Sequence, residues 1–186
     1  MKKMQILAIA ALAAAVTFQT AAKAEDPVSP VPGAVCNLYL MNWDGVDECQ
    51  KIAASLASQP AVATFVDSAI SFSAFHKKDD YKSNFGMWTG WIKQEKAATY
   101  TFVCKQDVCA AWRMYWIWIN GKKCVHGAIG QTSFNVDMSA GFNSVIIIDS
   151  AFYEESPLII TYKKAGSLKE PEPFGPGDMF HDDEED

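Results

Sequence analysis

The chain has 186 residues and a formal net charge of −6, with 22 acidic residues against 16 basic ones. Apolar residues make up 49% of it, which is enough for one domain with a packed core. An acidic surface repels a phosphate backbone, so we expect no nucleic-acid partner.

The first 24 residues have the three parts of a bacterial secretory signal. Lys2 and Lys3 precede an apolar run over residues 6–16, and Ala22-Lys23-Ala24 is a small-x-small cleavage site. The run is too short to span a membrane, and no cysteine follows the cleavage site to carry a lipid. The sequence therefore predicts an exported protein, periplasmic or extracellular, that starts at Glu25, carries a net charge of about −9 and has no transmembrane segment.

The five cysteines are interpreted as disulfide material, because an exported protein meets oxidising conditions. Cys104 and Cys109 flank one predicted hairpin loop that they could close, and Cys36 with Cys49 would tie the first predicted strand to the segment after it. Cys124 would then be left over, either inert in the core or available to another chain. Other pairings stay open. The lack of paired C-x-x-C spacing argues against a metal site.

Prolines 27, 30 and 32 mark residues 25–35 as an extended linker. A strand is predicted over 37–43, and apolar residues at helical spacing predict a short helix within 44–58. The pattern at 61–65 is ambiguous, whereas the alternation over 69–75 predicts a half-buried strand. A further strand is predicted over 85–92, where Gly90 favours a bulge or a close backbone approach.

The aromatic segment 112–119 carries more apolar surface than one buried sheet face needs. In a strand, one side would carry Tyr115, Ile117 and Ile119, and the other Trp112, Met114, Trp116 and Trp118. Either a loop or the preceding segment covers the tryptophan side, or the tryptophans form a platform that stacks on a sugar or seats a protein. The segment ends at Asn120-Gly121, a dipeptide typical of a type I′ hairpin turn.

Strands are also predicted over 100–104, from 122, over 131–138, over 143–149 and over 157–162. Eight or nine short strands without strand–helix alternation predict an all-β fold, an antiparallel β-sandwich or jelly-roll-like barrel, within residues 36–164. From residue 165 the chain turns to glycine, proline and acid. That composition predicts a disordered acidic tail over 165–186.

Several segments occur in the order of a known family's pattern. They are NLYLMNW at 37–43, MWTGWI at 87–92, TYTF at 99–102, IWINGK at 117–122 and MSAGFNSVIII at 138–148. On these motifs, residues 36–163 resemble the PA-fourteen domain, a β-sandwich found in bacterial toxins, glycosidases and adhesins. The resemblance implies this fold and, in sugar-binding members, a calcium ion held by consecutive aspartates after the Tyr-x-Phe strand.

The corresponding loop in this chain is KQDVC, residues 105–109, in which Asp107 alone is suitably placed. Because calcium needs six to eight oxygen ligands, we expect no cofactor and keep calcium as the alternative. Arg113 is either a rim residue whose stem covers a tryptophan or an anchor for a carboxylated sugar or an acidic partner. The predicted ligand-binding residues are Trp112, Arg113, Trp116, Trp118, Asp107 and Gln106.

The hypothesis is a secreted non-catalytic binding module of the bacterial envelope or surface that holds a glycan or a protein. No catalytic residue is assigned, because G-x-S-x-G, H-E-x-x-H and a marked pair of acids are lacking. The alternatives are an exported hydrolase and an assembly or inhibitor subunit.

Overall fold

A computed structural model describes residues 25–40, 52, 55–73, 84–106, 114–127, 130–150 and 157–183. The predicted signal over residues 1–24 lies outside this part of the chain. The described residues form twelve strands in two antiparallel sheets. The predicted antiparallel β-sandwich is confirmed. No helix within the described residues is long and apolar enough to cross a membrane.

The larger sheet is built around a long central pair of strands, β4 and β9. Its order is β1 (Pro30–Pro32), β12 (Phe180–Asp182), β4 (Phe85–Gln94), β9 (Gly141–Ser150), β6 (Tyr115–Ile119) and β7 (Lys122–Gly127). β2 (Ala34–Tyr39) also pairs with β4, and β3 (Ala63–Asp67) pairs with β2. Along one side, β4 therefore has β2 over its first half and β12 over its second.

The smaller sheet has four strands in the order β11 (Glu172–Phe174), β10 (Ile159–Lys164), β5 (Ala98–Gln106) and β8 (Gly130–Met138). Its inner face carries a row of aromatic rings. Phe102 stacks on Tyr162 of β10 at 5.5 Å and on Phe134 of β8 at 5.4 Å between ring centroids. These residues lie directly opposite one another in the strand register, so the row crosses three strands. It forms one wall of the core between the sheets.

A second apolar cluster lies on the outer face of the larger sheet. Residues 52 and 55–57 are helical, within the segment predicted as a helix. Ile52 and Leu56 are buried against the sheet together with Tyr39, Phe85, Trp116, Trp118 and Ile148. The larger sheet is thus apolar on both faces along β6, and all five residues of β6 are buried.

The hairpin between β6 and β7 has the predicted turn. Asn120 has φ 51° and Gly121 has φ 72°, the pair of left-handed conformations that a type I′ turn requires. The Asn120 amide donates to Oδ1 of buried Asn143 at 2.9 Å, and the Ser144 N–H donates to Asn120 Oδ1 at 3.0 Å. These bonds fix the turn to β9.

The strand predicted over 69–75 does not form in the described residues. Phe72 makes an isolated bridge with Leu158. The backbone just before it packs against residues near the C-terminus and does not pair with a strand. A Cβ on Gly175 would lie 2.4 Å from the Ile70 carbonyl carbon, and the Gly177 N–H donates to the Ala69 carbonyl at 3.0 Å. Glycines allow this close approach, which replaces strand pairing.

The prediction of a disordered tail is wrong for residues 165–183. β11 pairs with β10, and β12 pairs with β1 and β4. Phe174 and Met179 belong to the core at 2% and 0% exposure. The residues predicted as a linker are extended, but Pro30–Pro32 is a paired strand. Both ends of the described chain therefore meet at one edge of the larger sheet.

Candidate functional site

Many strand ends converge at one end of the sandwich, which we call the loop end. In the larger sheet, Tyr39 pairs with Phe85, and Tyr115 pairs with Asp149. In the smaller sheet, Gln106 pairs with Gly130 and Ile159 with Lys105. The loop end therefore collects the ends of β2, β5, β7 and β9 and the starts of β4, β6, β8 and β10. Loops gathered by a rigid sandwich are common ligand sites.

An exposed row of three side chains lies on the outer face of the smaller sheet at the loop end. Lys105 is the central member, with Ile159 of β10 on one side and Gln131 of β8 on the other. All three are exposed, and Ile159 keeps 42% of its accessible surface. The row combines an apolar patch, an ammonium donor and an amide that both donates and accepts.

Ser150 fixes the chain where β6 begins at the loop end. The Met114 N–H donates to Ser150 Oγ at 2.8 Å, and Ser150 Oγ donates to the Met114 carbonyl at 3.0 Å. The Ser150 N–H also donates to that carbonyl at 2.8 Å. Because Met114 directly follows Arg113, Ser150 sets where the segment 107–113 rejoins the sandwich.

The interior beneath the loop end is polar. Asp149 is fully buried on β9 beside Tyr115, whose hydroxyl makes no hydrogen bond to a described residue. Burial raises the pKa of Tyr115, while Thr132 lies near enough to offset part of that rise without hydrogen-bonding geometry. Burial raises the pKa of the Cys104 thiol to about 12, with a further rise from nearby Cys124. The Cys104 thiol and the Tyr115 hydroxyl therefore stay protonated at neutral pH, which makes them poor nucleophiles.

The structure buries two members of the predicted tryptophan platform. Trp116 and Trp118 are 1% and 2% exposed, beneath the helical residues Ile52 and Leu56. Neither indole has a free face on which a sugar could stack, which corrects the stacking role predicted for them. The physical reason is that a preceding segment of the chain covers this side of β6. Cover by a preceding segment was the alternative to an open platform in the sequence analysis.

The remaining predicted site residues belong to one connection at the loop end. Gln106 is the last residue of β5, and Asp107, Trp112 and Arg113 follow it outside the described residues. β5 and β6 lie in different sheets, so the connection crosses between sheets and does not form the hairpin loop that was predicted. The backbone thus brings the start and the end of this connection to the loop end.

The cysteines Cys36, Cys104 and Cys124 are free thiols in the structure. Cys36 and Cys104 are buried, and Cys124 is half-buried against the core. The partners predicted for the first two, Cys49 and Cys109, lie outside the described residues. The pairs Cys36–Cys49 and Cys104–Cys109 therefore stay predictions.

The described residues do not suit a calcium ion. No group of three or more histidine, cysteine, aspartate or glutamate side chains comes together in this part of the chain. Asp149 is the one carboxylate on the described strand ends at the loop end, and it is buried. Hard calcium needs six to eight oxygen ligands, so this set alone does not build its site.

Sequence reasoning missed Gln131, Ile159 and Ser150. Gln131 and Ile159 are ordinary surface residues in their own strands, and only the strand register places them beside Lys105. Ser150 follows the predicted strand 143–149 by one residue. Serine is common in turns at strand ends, so the sequence held no signal for the two hydrogen bonds between the Ser150 hydroxyl and the Met114 backbone.

No family model matches the sequence, and no curated protein matches it. Solved structures match in fold. The PA14 domain of the MpAFP antifreeze protein has a TM-score of 0.58 and 19% identity over 86% of this chain and 95% of its own. A PA14 sugar-binding domain from an RTX adhesin gives 0.52 and 19% over 78% and 96%. The A domain of epithelial adhesin 6 from Candida glabrata, in complex with Galβ1-3GlcNAc, gives 0.57 and 15% over 86% and 93%. The predicted resemblance is confirmed at the level of the fold: this chain is a PA14-type β-sandwich.

Proposed function

We propose that the protein is an exported, non-catalytic binding module that holds a carbohydrate at the loop end. The row Ile159–Lys105–Gln131 is the observation that carries the proposal. Sugars present apolar C–H faces and hydroxyls that both donate and accept hydrogen bonds. An exposed isoleucine next to an ammonium and an amide offers both kinds of contact on a rigid strand surface.

The neighbouring connection would complete the site. Gln106 ends β5 one residue after Lys105, so Asp107, Trp112 and Arg113 follow from the same edge. Two of the structures with this fold are a sugar-binding domain from an RTX adhesin and an adhesin domain in complex with Galβ1-3GlcNAc. We propose that Lys105 and Gln131 supply the polar contacts to the sugar hydroxyls.

Glycan-array screening followed by titration calorimetry tests this function, with calcium and with a chelator. We expect binding that survives chelation and falls about tenfold or more in Lys105→Ala and Gln131→Ala, since each removes a polar contact to the sugar. Lys163→Ala is the matched control. Lys163 lies on the same face of the sheet as Lys105, but it pairs with Thr101 and so lies farther from the loop end.

Three results would count against the proposal. Binding that the loop-end variants leave unchanged would move the site elsewhere. Loss of binding in the presence of the chelator would show that the site needs calcium. Turnover of an oligosaccharide by the purified protein would favour a hydrolase, although the described strand ends offer no pair of exposed carboxylates for that chemistry.

A further inference from the structure

β8 is a long edge strand without the usual protection. It runs over nine residues, Gly130–Met138, and no described strand pairs with its outer side. Such an edge presents unpaired backbone N–H and C=O groups, which proteins normally protect with short length, proline, lysine or a bulge. β8 contains no proline, lysine or arginine, its single charged side chain is Asp137 near its end, and its register with β5 is continuous.

Three of the other four described edge strands, β1, β11 and β7, carry that protection, and the fourth, β3, is shorter than β8. β1 and β11 have three residues each and contain prolines 30, 32 and 173. β7 contains Lys122 and Lys123 and has a register shift opposite Ile117 and Trp118. β3 has five residues, against nine in β8. Among the described strands, β8 therefore combines the greatest edge length with the least protection.

The inward face of β8 is also incompletely buried. Thr132, Phe134 and Val136 point toward the core but remain half-exposed. Phe134 is the last ring of the row that starts at Tyr162 and passes through Phe102. One side of this row therefore ends at the open edge of the sheet, where another aromatic ring would continue it.

We propose that β8 pairs with β8 of a second copy of this chain, antiparallel, about a two-fold axis at Phe134. Phe134 then lies opposite Phe134 of the partner subunit. Ser133 lies opposite Asn135 of the partner subunit, Thr132 opposite Val136 of the partner subunit, and Gln131 opposite Asp137 of the partner subunit. The two four-stranded sheets become one sheet of eight strands.

The side chains of β8 are complementary to themselves in this register. Aromatic faces aromatic, a β-branched residue faces another, and each polar pair joins a hydrogen-bond donor to an acceptor, with no like charges opposed. A shift by one residue would bring inward side chains opposite outward ones. A shift by two would place Phe134 opposite Thr132 or Val136 and interrupt the row of rings. Every pair except the one between the two Phe134 residues on the axis occurs twice because of the two-fold symmetry.

Paired charge variants test the interface. Ser133→Lys with Asn135→Lys places lysines opposite each other twice in the dimer, and Ser133→Asp with Asn135→Asp does the same with acids. Analytical ultracentrifugation should show a reversible micromolar dimer for the natural protein and monomers for either variant alone. An equimolar mixture should dimerise again, since opposite charges then face each other. A folding defect would not be repaired in this way.

The matched control is Thr64→Lys with Val66→Lys on β3, an exposed pair at the same spacing on an edge of the other sheet. It should dimerise like the natural protein. A dimer lost in this control would place the contact on β3 and overturn the proposal. A natural protein that stays monomeric throughout the micromolar range would also overturn it.

Hydrogen exchange of the natural protein tests the same point without any substitution. Raising the protein concentration through the dimerisation range should slow exchange at least tenfold for the amides of residues 130–138 that point away from β5, and leave β3 unchanged. Slowing confined to other strands, or no slowing anywhere, would refute pairing through β8.

Discussion

At the scale of single residues, the buried amide of Asn143 organises the end of the sandwich opposite the loop end. It accepts hydrogen bonds from the Asn120 amide at 2.9 Å and from the Ser139 N–H at 3.0 Å. It also donates to the Ser139 carbonyl at 2.9 Å. One fully buried side chain therefore joins the β6–β7 turn to the β8–β9 turn.

Asn143→Ala should remove these three hydrogen bonds to half-buried Asn120 and exposed Ser139, each worth about 1 kcal/mol, and so cost about 3 kcal/mol of unfolding free energy. Asn37→Ala is the matched control, because half-exposed Asn37 accepts one bond, from the Thr64 hydroxyl at 2.7 Å. It should cost less than about 0.5 kcal/mol. Urea unfolding measures both. Equal costs would show that burial of the network does not matter.

A second buried polar contact joins two strands that sequence reasoning treated separately. The Trp88 indole N–H donates to Asp67 Oδ2 at 2.7 Å, and the Ala69 N–H donates to Asp67 Oδ1 at 2.9 Å. Trp88 is fully buried and Asp67 is 7% exposed. The carboxylate thus ends β3 and anchors a core tryptophan of β4.

A double-mutant cycle measures this contact. Asp67→Ala alone should cost about 2–3 kcal/mol, since it leaves the Trp88 N–H buried without its acceptor. Trp88→Phe removes the donor, and in that background Asp67→Ala should cost about 1–2 kcal/mol less. The folding free energies from urea unfolding give the coupling. A coupling near zero would mean that Asp67 acts through its own backbone contact alone.

At the scale of elements, the C-terminal residues complete the sandwich. Met179 has no exposed surface and packs in the core, and a Cβ on Gly90 would lie 2.4 Å from the Phe180 carbonyl oxygen. The predicted close backbone approach at Gly90 is therefore real, and β12 is what approaches. β12 in turn holds β1, so this contact secures the N-terminal part of the described chain as well.

Met179→Ala should cost about 2–5 kcal/mol, the range for emptying a buried methionine site. Leu168→Ala is its control in the same predicted tail, because Leu168 is fully exposed. That substitution should change the unfolding free energy by less than about 0.5 kcal/mol. Thermal and urea unfolding compare the two. If Met179→Ala left the unfolding free energy unchanged, residues 165–183 would not contribute to the stability of the sandwich.

The sequence predicted those elements whose signals are local. Asn120-Gly121 determined the hairpin turn, and strict alternation assigned Tyr115, Ile117 and Ile119 to the inner face. The prediction of a disordered tail failed because it rested on the polar average composition of this segment. The order of the segment depends instead on a few apolar residues such as Phe174 and Met179. Their partners include Phe72, Phe102 and Gly90, which lie far away in sequence, and composition carries no information about such contacts.

The candidate site shows the same division. The prediction located the connection after β5, because the Tyr-x-Phe strand and its loop are contiguous in sequence. It could not decide whether Trp116 and Trp118 were covered, since the cover comes from Ile52 and Leu56, about 60 residues earlier. Nor could it place Gln131 and Ile159 beside Lys105, which depends on the register of three strands.

At the scale of the whole molecule, buried thiols tie stability to pH. Burial raises the pKa of Cys36 and Cys104, the latter to about 12, and raises that of Tyr39 to about 12. In the unfolded chain a cysteine ionises near pH 8.5. Because the native pKa is the higher one, the stabilisation is complete below pH 8.5 and is lost as pH rises toward the native values.

The reduced protein should therefore have a constant unfolding free energy from pH 7 to 8 and lose about 3–4 kcal/mol by pH 10, about 2 kcal/mol for each of the two thiols. Urea unfolding with a reducing agent measures the curve. The variant with Cys36→Ala and Cys104→Ala should keep most of that free energy at pH 10. If the two curves instead fall together, another group is responsible. Protein oxidised at the predicted pairs Cys36–Cys49 and Cys104–Cys109 would lack both thiols, so its unfolding free energy should fall less over the same range, which would distinguish bonded from free cysteines.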